Sequence, residues 1–180
     1  MIWYTGKPNV KERCKLYKQG DTVSHSHHGI GTIKSIEEKE ILGSKAVFVT
    51  MYFDREELKL TVGRKNLDDQ IREVLNEDEA ETVLEYLSNC DAKLAKNWKK
   101  RSRNNQERLT SGDPMKLCDV IRGLLLLKHK RKGDLSNSDR RQLNRALELL
   151  AEELVHALGR DSLEHMMEEL RETCKTTIAA

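Results

Sequence analysis

The residues best equipped for chemistry lie between Leu94 and Asp113, in the stretch LAKNWKKRSRNNQERLTSGD. Trp98, one of only two tryptophans, stands among Lys96, Lys99, Lys100, Arg101 and Arg103; Glu107 interrupts the positive run before Ser111-Gly112-Asp113 closes it. Ammonium and guanidinium groups neutralise phosphates, giving binding that is salt-sensitive and largely blind to sequence. At helical spacing Lys96, Lys99, Lys100 and Arg103 share overlapping faces, and Lys99 and Arg103, four apart, reach one phosphate backbone. A tryptophan beside them can stack on a base or pry open a base step. Periodicity leaves a second reading open, in which Trp98 is a core anchor beside Leu94.

Other candidate chemistry is thin. An HxHH strand places His25 and His27 on one face, next to His28. A zinc site takes three or four ligands, and no Cys or acid stands at a ligand spacing, so these histidines read as a polar strand end and turn. Gly29-x-Gly31 is a fragment of a β-turn and not a strand-to-helix phosphate loop. No nucleophile elbow or HExxH occurs, and the paired acids Glu56-Glu57 and Glu152-Glu153 read as solvated. Nothing positive supports an enzyme, and no metal or cofactor is expected. Cys14, Cys90, Cys118 and Cys174 are scattered without a CxxC pair, which suits free thiols in a reducing cytoplasm. No signal peptide or membrane span is legible.

Charge is segregated along the chain. The overall net of +2 conceals +2 over residues 1–76, −6 over 77–92, +10 over 93–132 and −4 over 133–180. A local net of +10 attracts polyanions, unless the acidic blocks neutralise it inside a helical bundle.

These residues need elements to position them. Residues 1–17 show no period and read as an extension, with Trp3 and Tyr4 free to dock. Short strands follow: one from Thr22, one over Thr32–Ile41, the strongest over Lys45–Phe53 and another over Leu58–Val62. Ile33 and Ile36 break a period of two, so a bulge is expected between them. Such strands fit a small SH3- or Tudor-like antiparallel barrel over residues 18–66. A linker, 67–76, leads to an all-α domain over 77–175. Its helices are expected at 78–88 with Asn76 as cap, at 92–109, from Pro114 to about Lys128, from Ser136 to Gly159, and at about 161–174. The fold class is therefore α+β, in two domains.

The order of these pieces resembles the CarD family of bacterial transcription regulators. The resemblance rests on Gly20-Asp21-Thr22-Val23, His27-His28-Gly29-Ile30-Gly31, Ile36-Glu37 with Ile41 and Gly43, Asn97-Trp98 with Arg101, Glu107-Arg108-Leu109, Ser111-Gly112-Asp113, Val120-Ile121-Arg122 and the Leu135-Ser136 to Leu154 helix. It covers about residues 18–160. It implies a barrel shared with transcription-repair coupling factors that binds the β subunit of RNA polymerase. It also implies a helical domain on promoter DNA at the upstream edge of the melted region. Trp98 takes the place of a minor-groove wedge that stabilises the open complex, and the basic contacts fall on Lys100, Arg101 and Arg103. The polymerase contact before the Ile-x-Gly turn falls on Lys39. An arginine of the family aligns with Thr61, leaving Lys59 or Arg64 to compensate; His25-Ser26 replace a Tyr-Pro, and Val62-Gly63 a Val-Pro. The implied protein is a monomer acting with RNA polymerase at the nucleoid. The alternative is a general nucleic-acid-binding adaptor with no polymerase contact.

Overall fold

The computed structural model describes residues 17–41, 44–67, 70–131 and 133–178. Trp3, Tyr4 and Cys14, the Leu42-Gly43 part of a turn, and Lys132 lie outside the described residues. The chain forms two compact units that divide between Glu73 and Val74, with the turn Ser26–Gly29 counted in the second.

The first unit is a five-stranded antiparallel sheet: β1 (Thr22–His25), β2 (Gly29–Ile41), β3 (Ser44–Phe53), β4 (Leu58–Gly63) and β5 (Ile71–Glu73). Its strand order is β4-β3-β2-β1-β5. β4 and β5 are thus the edges of an open sheet, where a closed barrel was expected. β5 lies inside the expected linker: Val23 pairs with Glu73 and His25 with Ile71, so the sheet runs to Glu73. Three residues, Ile-Arg-Glu, carry no period from which a strand can be read.

The expected bulge is present. Ile33 pairs with Met51 and Ser35 with Thr50, leaving Lys34 as the extra residue. Because strand side chains alternate faces, this one insertion keeps Ile36, opposite Val49, on the same side as Ile33. Val23, Ile33, Val49, Met51, Phe53, Leu67 and Ile71 form the buried cluster on that side.

The second unit is helical: α1 (Glu77–Asn89), α2 (Trp98–Leu109), α3 (Pro114–Arg131), α4 (Asn137–Ala157) and α5 (Leu163–Ile178). Asn76 and Glu79 form a reciprocal capping box on α1. Asp113 Oδ1 accepts from the Met115 N–H at the start of α3, and the Ser136 side chain caps α4. α4 touches each of the other four helices. Its apolar seam, Leu143, Ala146, Leu147, Leu150 and Leu154, packs with Ala80, Val83 and Leu87 of α1, Ile121 and Leu124 of α3, and Met166 and Leu170 of α5. Cys118 is buried in this core. α3 continues to Arg131, past the expected end near Lys128. No helix among the described residues is long and apolar enough to cross a membrane.

Candidate nucleic-acid interface

The helix that carries the basic run starts later than its periodicity suggests. It begins at Trp98 and not at Ala92, because Asn97 caps it: Asn97 Oδ1 accepts from the Lys100 N–H at 3.1 Å. Residues 90–97 approach without helical structure, and Leu94 is fixed against α3, where Gly123 leaves room for it. A Cβ on Gly123 would lie 2.7 Å from Leu94 Cγ.

Trp98 is therefore the first helical residue, and it is 62% exposed. The core-anchor reading placed it beside Leu94; the later helix start takes it out of that alignment. Lys99 Nζ lies 5.7 Å from the indole centroid, a cation–π contact. Lys99, Lys100 and Arg103 are exposed and line a shallow surface hollow with Asn97. Arg103 also reaches Glu107 at 3.7 Å, but both groups are well solvated and this pair contributes little.

The electrostatics here are unrelieved. The first turn of α2 contains no acid, whereas that of α1 contains Glu77, Asp78 and Glu79. A helix N-terminus carries roughly half a positive charge, and two lysines beside it add to that field. Unpaired N–H groups, a positive dipole end and flexible ammoniums together favour an anion such as a phosphate.

Arg101 requires correction as a contact residue. It is only 3% exposed, and its guanidinium is held inside the helical unit. Nε donates to Asp139 Oδ1 at 3.0 Å and Nη2 to Asp139 Oδ2 at 2.9 Å, a bidentate pair. Nη1 donates to the carbonyls of Ala95 and Lys96 at 3.3 and 3.4 Å. Burial alone would raise the Asp139 pKa, but hydrogen bonds from Arg101 and Ser136 outweigh it and hold the carboxyl below its ordinary value.

Sequence reasoning missed the rest of this seam. Asn105 Nδ2 donates to Gln142 Oε1 at 3.3 Å, and Gln142 Nε2 donates to the Ser102 carbonyl at 2.9 Å. The spacing of Arg101, Asn105 and Leu109, four apart, was the available signal, since it marks one helix face. Two polar residues on it concealed that it is the buried face. The pairings 101 with 139 and 105 with 142 run in the same direction along both helices. One turn earlier, Trp98 is level with the Ser136 cap, where α4 begins, and finds no further turn of α4 to pack on.

In the sheet unit, Lys39 and Lys59 share the face away from the buried cluster, because Lys39 pairs with Ala46 and Lys59 with Tyr52. Six residues of β3 separate those rows, about 20 Å at roughly 3.4 Å per residue. Arg64 follows Gly63, which pairs with Phe48, so Arg64 lies near the Lys39 end. Lys39 forms an exposed ion pair with Glu37 at 3.1 Å. His25 is buried edge-on to Phe53 with ring centroids 5.5 Å apart, while His27 is exposed: β1 ends at His25, which breaks the alternation expected of the histidines. Among the described residues no group of three His, Cys, Asp or Glu side chains is arranged to hold a metal ion.

Two family models match the chain. One, described as the CarD-like/TRCF RID domain, covers residues 17–75; the other, described as the CarD C-terminal domain, covers residues 82–170. A protein of Bacillus subtilis (strain 168) named "Putative transcription factor YdeB" is 25% identical over 140 residues, which is 77% of this chain and 90% of that protein.

Proposed function

Since the chain belongs to the CarD family and is a transcription-related protein, we propose that it binds RNA polymerase through the sheet unit and promoter DNA through the helical unit. In this reading the polymerase contact is to the β subunit, and Trp98 wedges into the minor groove at the upstream edge of the melted region. Lys99, Lys100 and Arg103 neutralise the flanking phosphates, and the open complex lives longer. The observation that carries the reading is an indole 62% exposed at a helix N-terminus whose positive field has no acid in its first turn. An exposed tryptophan costs a protein solubility, and one ringed by cations suits a ligand with both π-faces and phosphates. The chain acts here as a binding protein and not as an enzyme.

On the sheet, Lys39 and Arg64 form the contact to polymerase, with Lys59 at the far end of the same face in a lesser role. Co-purification with core polymerase tests this. The wild-type chain is retained, Lys39→Ala/Arg64→Ala weakens retention, and Lys59→Ala changes it less. A wild-type chain that binds promoter DNA but is never retained by polymerase would instead be a general nucleic-acid adaptor.

A further inference from the structure

α2 is attached to the bundle in an unusual way. Of its buried residues, Arg101, Asn105 and Leu109, only Leu109 is apolar, and it lies at the end far from Trp98. Hydrophobic burial is non-directional, so one distant leucine cannot fix how the first turn of the helix is rotated. Directional bonds can. Arg101 donates two bonds to Asp139 and two to the backbone immediately ahead of Trp98, at Ala95 and Lys96. Asp139 is itself fixed: its Oδ2 accepts from Ser136 Oγ at 2.8 Å, and its N–H donates back to that oxygen at 3.2 Å. One connected network thus joins the α4 cap to the chain on either side of the exposed indole.

We infer that Arg101 and Asp139 are positioning residues, a buried fork that joins the Ala95–Lys96 backbone to the start of α4 and sets the pose of Trp98. The inference rests on the DNA-binding reading for its consequence, but not for its geometry. It also distinguishes Arg101 from its neighbours: Lys99, Lys100 and Arg103 meet the ligand, whereas Arg101 holds the frame on which they are displayed. The physical reason for an ion pair here is specificity of arrangement and not gross stability, since a buried pair is often no more stabilising than apolar residues of like volume.

The test uses the full chain with Trp3→Phe, which leaves Trp98 as the sole tryptophan. Two variants are made on it, Asp139→Asn and the apolar replacement Arg101→Met/Asp139→Leu, the second chosen to keep the fold if the first does not. Time-resolved anisotropy reads the local motion of the Trp98 indole, and fluorescence titration with a promoter DNA duplex reads affinity. A folded variant is expected to show at least a twofold larger fast-motion amplitude and roughly tenfold weaker DNA binding, about 1.4 kcal/mol. Asp139→Asn is informative in sign, because removing an acid near a DNA contact strengthens binding on Coulombic grounds alone. Unchanged indole motion and unchanged or tighter DNA binding in a folded variant would overturn the inference. If Trp98→Ala binds the duplex as tightly as wild type, the DNA-binding reading fails; the anisotropy result still decides whether the fork sets the indole's pose.

Discussion

Replacing Gly31 with Ala probes the sheet unit at one atom. A Cβ at Gly31 would lie 2.6 Å from Phe53 Cε1, 2.7 Å from Cδ1 and 3.1 Å from Cζ. Carbon atoms rest at about 3.5–4.0 Å, so the ring would have to retreat by about 1 Å. It has nowhere to go: Phe53 is fully buried and packed edge-on by His25. A permissive Gly→Ala change stabilises by roughly 0.4–1 kcal/mol through the unfolded chain. Overpacking a tight core costs about 1–3 kcal/mol. The second effect wins, for a net loss of about 1–2 kcal/mol. Because the chain has two units, a single melting curve blurs them, and amide hydrogen exchange in the intact chain is the better assay. Amides of Ile33, Val49 and Met51 should exchange roughly 5- to 30-fold faster, while the α4 amides serve as an unchanged reference. Phe53→Leu combined with Gly31→Ala should cost less than the sum of the two single changes. Exchange as slow as wild type in Gly31→Ala would refute the packing argument.

Three further outcomes are expected. Asn76→Ala removes the side-chain acceptor of the α1 capping box, Asn76 Oδ1, to which the Glu79 N–H donates at 2.9 Å, and should cost about 1 kcal/mol in denaturant unfolding of the helical unit. Tyr86, partly desolvated and donating to Asp119 at 3.0 Å, has its pKa pushed up to about 12. A raised pKa means that the native state holds the proton longer, so this contribution is intact below pH 10 and lost between about 10 and 12; Tyr86→Phe should flatten stability over that window and remove one late-titrating phenol. Lys100→Ala and Arg103→Ala should each lower the slope of log affinity against log salt for promoter DNA by about 1, and an unchanged slope would remove that residue from the phosphate contacts.

How much of the molecule was legible followed from which forces set each part. The Ile33–Ile36 spacing announced the bulge because a buried face tolerates no change of phase. The α3 and α4 faces were legible because apolar burial leaves a repeating pattern, and the Asn76 cap because caps have their own chemistry. β5 was not legible, since its three residues are placed by their partners in β1. The start of α2 was misplaced because Asn97, an effective cap, sits inside a run of helix-forming residues. Arg101 misled most: in composition it is one more cation among five, and only a carboxylate 38 residues later, at Asp139, turns it inward. The exposure of Trp98 depends on where α2 and α4 both begin, which no local window contains.

The most direct test of the central claim is the lifetime of an RNA polymerase open complex with the wild-type chain and with Trp98→Ala, measured beside their melting curves. With 62% of the residue already in solvent, the variant should melt within a few degrees of wild type. Loss of one stacked or wedged base contact, worth roughly 1–3 kcal/mol, should shorten the stabilised lifetime by about 5- to 150-fold. A full-length lifetime with Trp98→Ala would contradict the wedge, and a collapsed melting temperature would show that the indole serves the core instead.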